Sequence, residues 1–302
     1  MKEKIAIIGA GKVAHSLVPA LVKSGYNVES IHSRNLLSAK KLAQKYSVNH
    51  FTNSPKEIPT GIKIFLLTIP DSEIKATAEK LSRLKINFKQ SFFIHFSGVE
   101  DITGLKSLAK KGAATGSLHL MQTFPTKRIT SLKGVHAAVE TADERAHKLL
   151  MKISKDLQLK PFKLNSKDKV FYHLAGVIGS NFLAGNLYNS EELLSLCGID
   201  KKDSFEKLKS TIFTTLENTR KFGAANALSG PIDRGDFKTI TKHITALKKL
   251  EKIKDKKDEA PYLLRSYLVQ SLQLLNLVEI KIGTHTENHL KIKKILIEEL
   301  SK

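Results

Sequence analysis

The start of the chain restricts the fold more than any other part of the sequence. The apolar run Lys4–Ile8 leads into the turn Gly9–Ala14, which reads G-x-G-x-x-A, and an amphipathic stretch continues to Lys23. A strand, a tight glycine turn and a helix in this order form the phosphate-binding start of a doubly wound α/β domain. The N-terminus of the new helix offers free N–H groups and a positive dipole end to an anion.

This arrangement predicts a bound nicotinamide or flavin dinucleotide. Gly9 would permit the tight turn, Gly11 would let the backbone approach a phosphate, and the small Ala14 would let helix and strand pack closely. The residues expected to hold the cofactor here are Gly9, Ala10, Gly11, Lys12 and Val13. The alternative is an ordinary turn between strand and helix that uses glycine only for its backbone angles.

Composition narrows the class of protein. The 302 residues fit two domains of ordinary size, and an apolar fraction of 41% is enough for well-packed cores. No apolar stretch reaches the roughly 18 residues that a transmembrane helix needs, and the first strand begins too early to leave room for a signal peptide. Cys197 is the single cysteine, which excludes an internal disulfide and a cysteine cluster for a metal. We therefore expect a cytoplasmic protein with no metal site.

The net charge of +21 is large, but its distribution does not indicate nucleic acid. Lysine supplies most of the positive charge, arginine is sparse, and the lysines are spread over both halves without interleaved aromatic residues. A nucleic-acid or membrane-surface protein is thus the less favoured class. Attraction of an anionic cofactor and substrate is a modest benefit that fits the charge.

The first half of the chain alternates between strand-like and helix-like runs, the pattern of a doubly wound α/β sheet. Continuous apolar runs such as Ile64–Leu67 suit a parallel strand covered on both faces. The predicted strands lie near Ile5–Gly9, Asn27–His32, Ile62–Ile69, Ser91–Phe96, Ala113–Leu118, Val135–Glu140 and Leu159–Leu164. The predicted helices between them include Leu36–Tyr46, Ser72–Leu84 and Ala142–Leu157.

After Ser166 the strand signals end and long amphipathic helices follow. They are predicted at Asp168–Leu196, Asp203–Phe222, Asp236–Leu250 and from Ala260 to the C-terminus, with a break near Gly283. The highly charged stretch Lys248–Glu259 is typical of a solvated connector. The predicted architecture is a Rossmann dinucleotide-binding domain, residues 1–165, followed by an all-α substrate and dimerisation domain, residues 166–302.

The end of the second predicted strand indicates which nicotinamide cofactor is bound. NAD-selective folds usually place an acidic residue there to hold the ribose hydroxyls, whereas this strand ends in Ser33 and Arg34, and Glu29 lies too early to reach the ribose. A guanidinium holds a phosphate through two hydrogen bonds, so the pair favours NADP. The alternative is that Arg34 only solvates a loop.

Thr68, Ile69 and Pro70 end the central strand, at the edge where the dinucleotide is expected.

Several further segments resemble one protein family when they are taken together. They are His95–Gly98, Gly116–Phe124, Tyr172–Phe182 and Leu228–Asp236. With the dinucleotide turn and Ser33–Arg34, they are similar to Rossmann-like proteins with a DUF2520 C-terminal domain. One departure is Leu120, where the family pattern has proline. The resemblance covers nearly the whole chain.

The resemblance implies an NADP-dependent oxidoreductase that is distantly related to pyrroline-5-carboxylate reductase and 6-phosphogluconate dehydrogenase. Some family members are described as alternative ketopantoate reductases. The resemblance also implies that His173 donates a proton and that Asn181 orients the substrate or the nicotinamide, with Lys169 as the second candidate for the acid. The structural alternative for His173 and Asn181 is that both are polar residues packed at a domain interface.

Three other side chains are candidates for the site on local grounds. Ser97 follows a strand end and would hydrogen-bond a substrate, unless it only caps a turn. His119 lies in a small-residue segment, where a structural histidine is the equal alternative. Arg234 lies in the stiff turn Gly230–Asp236, and its fork suits a carboxylate unless Asp233 or Asp236 pairs with it. Asp236 is expected to cap the next helix.

These observations predict an NADPH-dependent reductase of a small oxo acid or imine, with ketopantoate as one candidate substrate. The active site is expected between the two domains, with a carboxylate-bearing small molecule as partner. A non-catalytic NADP(H) sensor is the alternative. A homodimer through the helical domain is also expected, because apolar faces there would need a partner. The residues that suggested this are Leu263, Leu264, Tyr267, Leu268, Leu272, Leu275 and Leu277.

Overall fold

A computed structural model describes residues 3–250 and 260–302 of the chain. It contains an eight-stranded sheet in the order β3-β2-β1-β4-β5-β6-β7-β8. The strands are β1 (Lys4–Ile8), β2 (Asn27–His32), β3 (His50–Thr52), β4 (Ile64–Leu67), β5 (Phe92–His95), β6 (Ala114–Leu120), β7 (His136–Glu140) and β8 (Lys160–Lys163). The first six have the order of a dinucleotide-binding sheet. Every neighbouring pair is parallel except β6 and β7.

The described helices alternate with these strands and then continue without them. They are α1 (Lys12–Lys23), α2 (Leu36–Lys45), α3 (Ile74–Leu81), α4 (Lys106–Ala109), α5 (Glu144–Asp156), α6 (Lys169–Gly176), α7 (Leu183–Leu196), α8 (Lys201–Ala227), α9 (Phe237–Leu250), α10 (Ala260–Ile282) and α11 (Glu287–Leu300). The predicted fold class, a doubly wound Rossmann domain followed by helices, is confirmed.

Both faces of the sheet are buried, as the continuous apolar strands predicted. Ile5 and Ile7 of β1 belong to the cluster on one face, and Ala6 and Ile8 belong to the cluster on the other. Each of these four side chains is fully buried. Alternation along β1 thus supplies both cores from a single run of five residues.

Two differences from the predicted elements have local causes. β3 was not predicted because it has only three residues, His50–Thr52, and pairs only with β2 at the edge of the sheet. The helix predicted over Asp168–Leu196 is interrupted by a π-helical segment, Val177–Phe182. The predicted break near Gly283 is confirmed, since α10 ends at Ile282 and Gly283 has a positive φ of 80°. Of the predicted connector, residues 251–259 lie outside the described residues.

The chain divides into two compact units after Leu183. The first unit contains the sheet, and it includes α6 and the π-helical segment beyond the predicted boundary at residue 165. The second unit, Ala184–Lys302, has its own core, in which Ile240, Leu268 and Ile292 are almost completely buried. No helix among the described residues has both the length and the apolar character that a membrane span requires.

Candidate active site

The dinucleotide turn is fixed by the ends of two neighbouring strands. Gly9 has φ +114°, and a Cβ at this position would lie 2.5 Å from the carbonyl oxygen of Thr68. The Gly9 N–H donates to the His32 carbonyl at 2.7 Å, and Thr68 Oγ1 donates to the Gly9 carbonyl at 2.8 Å. Only glycine combines this backbone angle with this close approach. The turn therefore lies between the carboxyl ends of β2 and β4.

The N-terminus of α1 is open to an anion. Gly11 occupies the N-cap position, and no side chain caps the helix. A Cβ on Gly11 would meet only the Thr68 carbonyl oxygen, at 3.6 Å, so free space adjoins the first helical N–H groups. Free N–H groups beside a glycine are the donors that a pyrophosphate accepts from. The residues present thus fit a dinucleotide phosphate.

A pocket at this edge of the sheet brings together most of the predicted cofactor residues. Gly9, Ala10, Gly11, Ser33, Arg34, Thr68, Ile69 and Pro70 all line it. Lys12 and Val13 belong to the first turn of α1 and do not line it. The pocket also contains residues that the sequence did not indicate, namely Ile8, His32, Ser38, Glu73, Thr77 and Lys127. Ile8 and His32 adjoin predicted residues along the chain, whereas Glu73, Thr77 and Lys127 reach the pocket only through folding.

Arg34 is held within the pocket by an ion pair. Its Nη1 lies 2.9 Å from Oε1 of Glu73, which precedes α3. The arginine side chain remains 73% exposed and the glutamate 35% exposed. Arg34 lines the pocket beside Ser33, and its role in holding a 2′-phosphate stays a prediction.

A second polar cluster lies at the carboxyl ends of β5 and β6. Gly98 follows β5, and a Cβ there would lie 2.7 Å from Nε2 of His119 and 2.7 Å from Cδ2 of His173. His119 lies on β6 and His173 on α6, with ring centroids 6.2 Å apart. Tyr172 completes the cluster, since its hydroxyl is 2.8 Å from Nδ1 of His119. We call Gly98, His119, Tyr172 and His173 the histidine cluster.

The protonation of this cluster follows from its burial. Burial, followed by the charges of His173 and Lys169, lowers the pKa of His119 to about 4. Burial raises the pKa of the Tyr172 hydroxyl to about 12, so the hydroxyl keeps its proton at neutral pH. In the tautomer that carries its hydrogen on Nε2, the neutral His119 accepts a hydrogen bond from the Tyr172 hydroxyl through Nδ1. This Nε2 has no hydrogen-bond partner among the described residues and is free to donate.

Lys169 lies beneath the histidine cluster in a buried ion pair. Its Nζ is 2.9 Å from Oε2 of Glu140 and 2.9 Å from Oγ of Ser117, and the side chains of Lys169 and Glu140 are 1% and 5% exposed. Oε1 of Glu140 accepts hydrogen bonds from Ser166 Oγ and the Ile102 N–H. Because its ammonium group is enclosed by these partners, Lys169 fits a positioning role better than that of the substrate acid.

His95 is the last residue of β5, and Ser97 lies in the turn that follows. Both are buried, and Ser97 Oγ accepts hydrogen bonds from the amides of Val99 and Glu100 at 3.2 and 2.9 Å. This is the turn-capping alternative, so a substrate contact of Ser97 stays a prediction. Burial first, then the charge of Lys169, lowers the pKa of His95 to about 3.

Asn181 lies in the π-helical segment, where it accepts a hydrogen bond from Ser180 Oγ at 2.8 Å and is exposed. The segment alters the angular relation to His173 that a continuous α-helix would impose, because a π turn contains about one more residue than an α turn. Such segments often occur at functional sites. The role of Asn181 stays a prediction.

Arg234 lies in the second unit, on a turn held by other residues. Lys281 binds both oxygens of Asp233 at 2.8 and 3.0 Å, and Asp236 caps α9 through the Thr239 N–H at 3.1 Å, as predicted. His289 Nε2 donates to the Ile232 carbonyl at 3.0 Å. The exposed guanidinium of Arg234 donates no hydrogen bond to another described residue, but its charge is among the causes that lower the pKa of Asp236, after the hydrogen bonds from Thr239.

Comparison with known proteins agrees with a dinucleotide-binding site in the first half of the chain. Residues 4–95 match the family model described as NADP oxidoreductase, coenzyme F420-dependent, and residues 135–266 match the domain of unknown function DUF2520. These matches confirm the predicted NADP-dependent oxidoreductase. No curated protein matches the chain significantly.

Three solved structures share the fold. A candidate NADP oxidoreductase from Bacteroides fragilis has 22% identity and a TM-score of 0.75, over 90% of this chain and 98% of the other. Pyrroline-5-carboxylate reductase from Coxiella burnetii has 18% identity and a TM-score of 0.54, over 91% and 99%. Reductive aminase from Aspergillus terreus, in complex with NADPH and ethyl-5-oxohexanoate, has 10% identity and a TM-score of 0.59, over 100% and 94%.

The two matched regions occupy the parts of the sequence that carry the motifs. One begins with the dinucleotide turn and ends at His95, and the other runs from β7 through α6 into α10. The chain thus combines a region that matches the NADP oxidoreductase model with a region that matches DUF2520, the combination that its motifs resemble.

Proposed function

We propose that the protein is an NADPH-dependent reductase of a small oxo acid or imine. The observation that carries the proposal is that one sheet edge holds both the dinucleotide pocket and the histidine cluster. The pocket lies at the carboxyl ends of β1, β2 and β4, and the cluster lies at those of β5 and β6. Parallel strands β1, β4, β5 and β6 bring these ends to one edge.

The strand order gives the distance that a cofactor must span. β6 lies three strands from β1, which corresponds to about 14 Å at the usual spacing of neighbouring strands. The N-terminus of α1 at Gly11 would hold the pyrophosphate of a dinucleotide and Arg34 its adenosine end, which would leave the histidine cluster for the nicotinamide end. When bound there, NADPH supplies the hydride for the reduction.

The histidine cluster can polarise and protonate the acceptor. His119 is neutral near pH 7, so its Nε2–H donates a hydrogen bond to the carbonyl oxygen or imine nitrogen without giving up a proton. His173 is the proposed general acid, because it adjoins the same space beside Gly98. As hydride adds to carbon, the proton of His173 passes to the oxygen or nitrogen, which yields an alcohol or an amine.

Two further residues are proposed to orient the substrate. Asn181 would hydrogen-bond the reacting carbonyl or imine. Arg234 lies in the second unit, and its role in holding a substrate carboxylate stays a prediction. A pyrroline-5-carboxylate reductase and a reductive aminase share the fold, and their names fit the two substrate types proposed here. Ketopantoate belongs to the oxo acids proposed.

The proposal is tested by NADPH oxidation with a panel of 2-oxo acids and cyclic imines, including ketopantoate. His173→Gln should reduce turnover strongly and leave NADPH affinity near that of the wild type. His147→Gln is the matched control, because His147 is an exposed histidine on α5 outside the cluster. Equal turnover in the two variants would contradict the role of His173.

The alternative function is an NADP(H) sensor without catalysis. It predicts tight NADPH binding and no oxidation with any member of the panel. The histidine cluster favours the reductase, because a sensor does not require a neutral imidazole and a second histidine packed at the nicotinamide edge of the sheet.

A further inference from the structure

The cofactor pocket contains a carboxylate that the choice of NADP does not explain. Glu73 lines the pocket with Arg34 and Lys127, and its Oε1 lies 2.9 Å from Nη1 of Arg34. The pair is partly exposed to solvent, so it contributes little to stability. A glutamate in this position faces the group that should bind the 2′-phosphate.

The contact between Arg34 and Glu73 is a single hydrogen bond. It joins one guanidinium nitrogen to one carboxylate oxygen, and the remaining donors of Arg34 have no partner among the described residues. A phosphate that approached Arg34 would come close to Glu73, and the two negative charges would repel each other. A ribose 2′-hydroxyl would instead find an acceptor in the same carboxylate.

We propose that Glu73 determines the cofactor specificity of this protein by opposing the 2′-phosphate of NADP and accepting the ribose 2′-hydroxyl of NAD. Arg34 and Lys127 attract the phosphate, and Glu73 reduces the preference that these cations create. The chain therefore discriminates less strongly against NADH than Ser33 and Arg34 suggest. The inference rests on the proposed binding of NADPH in this pocket and does not depend on the substrate.

The test is the affinity of the purified protein for NADPH and NADH, measured by calorimetry. Glu73→Gln should bind NADPH about fivefold more tightly or better, the factor for removing a repulsion between unit charges about 4 Å apart in water. Its affinity for NADH should stay the same or fall. The NADPH preference would then increase.

Glu79→Gln is the matched control. Glu79 lies on α3, which Glu73 precedes; it is exposed and does not line the pocket, and the substitution removes the same charge. Both cofactors should bind this variant as they bind the wild type. If Glu73→Gln leaves NADPH affinity unchanged, or weakens it because Glu73 orients Arg34, the proposal is wrong.

The same measurement separates this proposal from the proposed function. A wild type that binds NADPH but reduces nothing in the panel contradicts the reductase and leaves the role of Glu73 open to the test above. A wild type that binds neither NADPH nor NADH contradicts both the proposed reductase and the role of Glu73. An equal gain in Glu73→Gln and Glu79→Gln would indicate a general effect of net charge and would overturn the specific role.

Discussion

At the scale of single residues, two positions have roles that their neighbours define. Arg34 owes its proposed role to its place in the pocket at the end of β2, and Gly98 owes its role to the two imidazoles that face it. Neither role depends on the propensity of the residue for helix or strand. Each can therefore be tested by a substitution that leaves the fold intact.

Arg34→Ala should weaken NADPH binding by about 1–3 kcal/mol, the cost typical of losing a charged hydrogen-bond partner. NADH binding should change little, because NADH lacks the phosphate. Calorimetry with both cofactors measures the difference, and Arg83→Ala, an exposed arginine outside the pocket, is the control. An equal loss for both cofactors would contradict the assignment.

Gly98→Ala should abolish most of the turnover while the protein remains folded. The new Cβ would lie 2.7 Å from atoms of both His119 and His173, so at least one ring must move. NADPH affinity should remain within about twofold of the wild type, because Gly98 does not line the cofactor pocket. Steady-state kinetics and calorimetry together test this, and wild-type turnover would remove the histidine cluster from the site.

At the scale of elements, the buried ion pair joins three parts of the fold. Lys169 begins α6, Glu140 ends β7, and Ser117 lies on β6. The pair places α6, and with it Tyr172 and His173, against the end of the sheet. Both charged groups are satisfied, because the Glu140 carboxylate and the Lys169 ammonium each have further hydrogen-bond partners.

Lys169→Met should lower the free energy of unfolding by about 3–5 kcal/mol, because it leaves the carboxylate buried without its partner. The double variant Lys169→Met/Glu140→Leu should recover part of this loss, since neither charge then remains. Denaturant unfolding measures both values. A single variant as stable as the wild type would show that Glu140 finds another partner.

At the scale of the whole molecule, two properties follow from the fold: the response of stability to acid and the state of association. The first arises because the sheet buries neutral histidines, and the second arises from apolar side chains that remain exposed. His95 and His119 both have a pKa well below the usual value of 6.5.

Stability should fall as the pH is lowered below about 6.5. The unfolded chain takes up protons on His95 and His119 near pH 6.5, whereas the folded chain does so only near pH 3 and pH 4. The contribution of the neutral rings is therefore complete above pH 6.5, and we expect a loss of roughly 2–4 kcal/mol between pH 7 and pH 5. Thermal unfolding across this range measures it. His119→Gln should show a smaller loss, and an equal loss would exclude His119 as a source.

The homodimer remains a proposal, but the residues that suggested it have another role. Leu264, Leu268 and Leu275 are buried in the core of the second unit, and Leu263, Tyr267 and Leu272 pack against that core. The exposed apolar side chains of the second unit lie elsewhere, including Phe213 and Leu216 on α8, which are 56% and 48% exposed. Exposed apolar side chains three positions apart on one helix share a face, and such a face is a candidate for an interface.

Light scattering at micromolar concentration should give the mass of a dimer. The variant Phe213→Ser/Leu216→Ser should give a lower mass, because it replaces two of the exposed apolar side chains on α8. A monomeric mass for the wild type would contradict the proposal. A double variant that remains fully dimeric would place the interface elsewhere.

The sequence by itself determined the features that depend on neighbours along the chain. The turn at Gly9–Ala14 and the buried strands were predictable, because a positive φ, a tight turn and burial on both faces select particular residue types at particular spacings. The end of β2 at Ser33 and Arg34 was predictable for the same reason. These requirements are local, so they leave a pattern in the sequence.

Only the tertiary structure decided which distant residues share a site. Glu73 and Lys127 reach Arg34, and Tyr172 reaches His119 across 53 positions, through the packing of separate elements on one sheet. The resemblance marked Lys169 as a candidate acid, but nothing in the sequence of this basic chain predicted its burial beside Glu140. Contacts of this kind depend on how helices and strands pack, and such packing requires no fixed spacing along the chain.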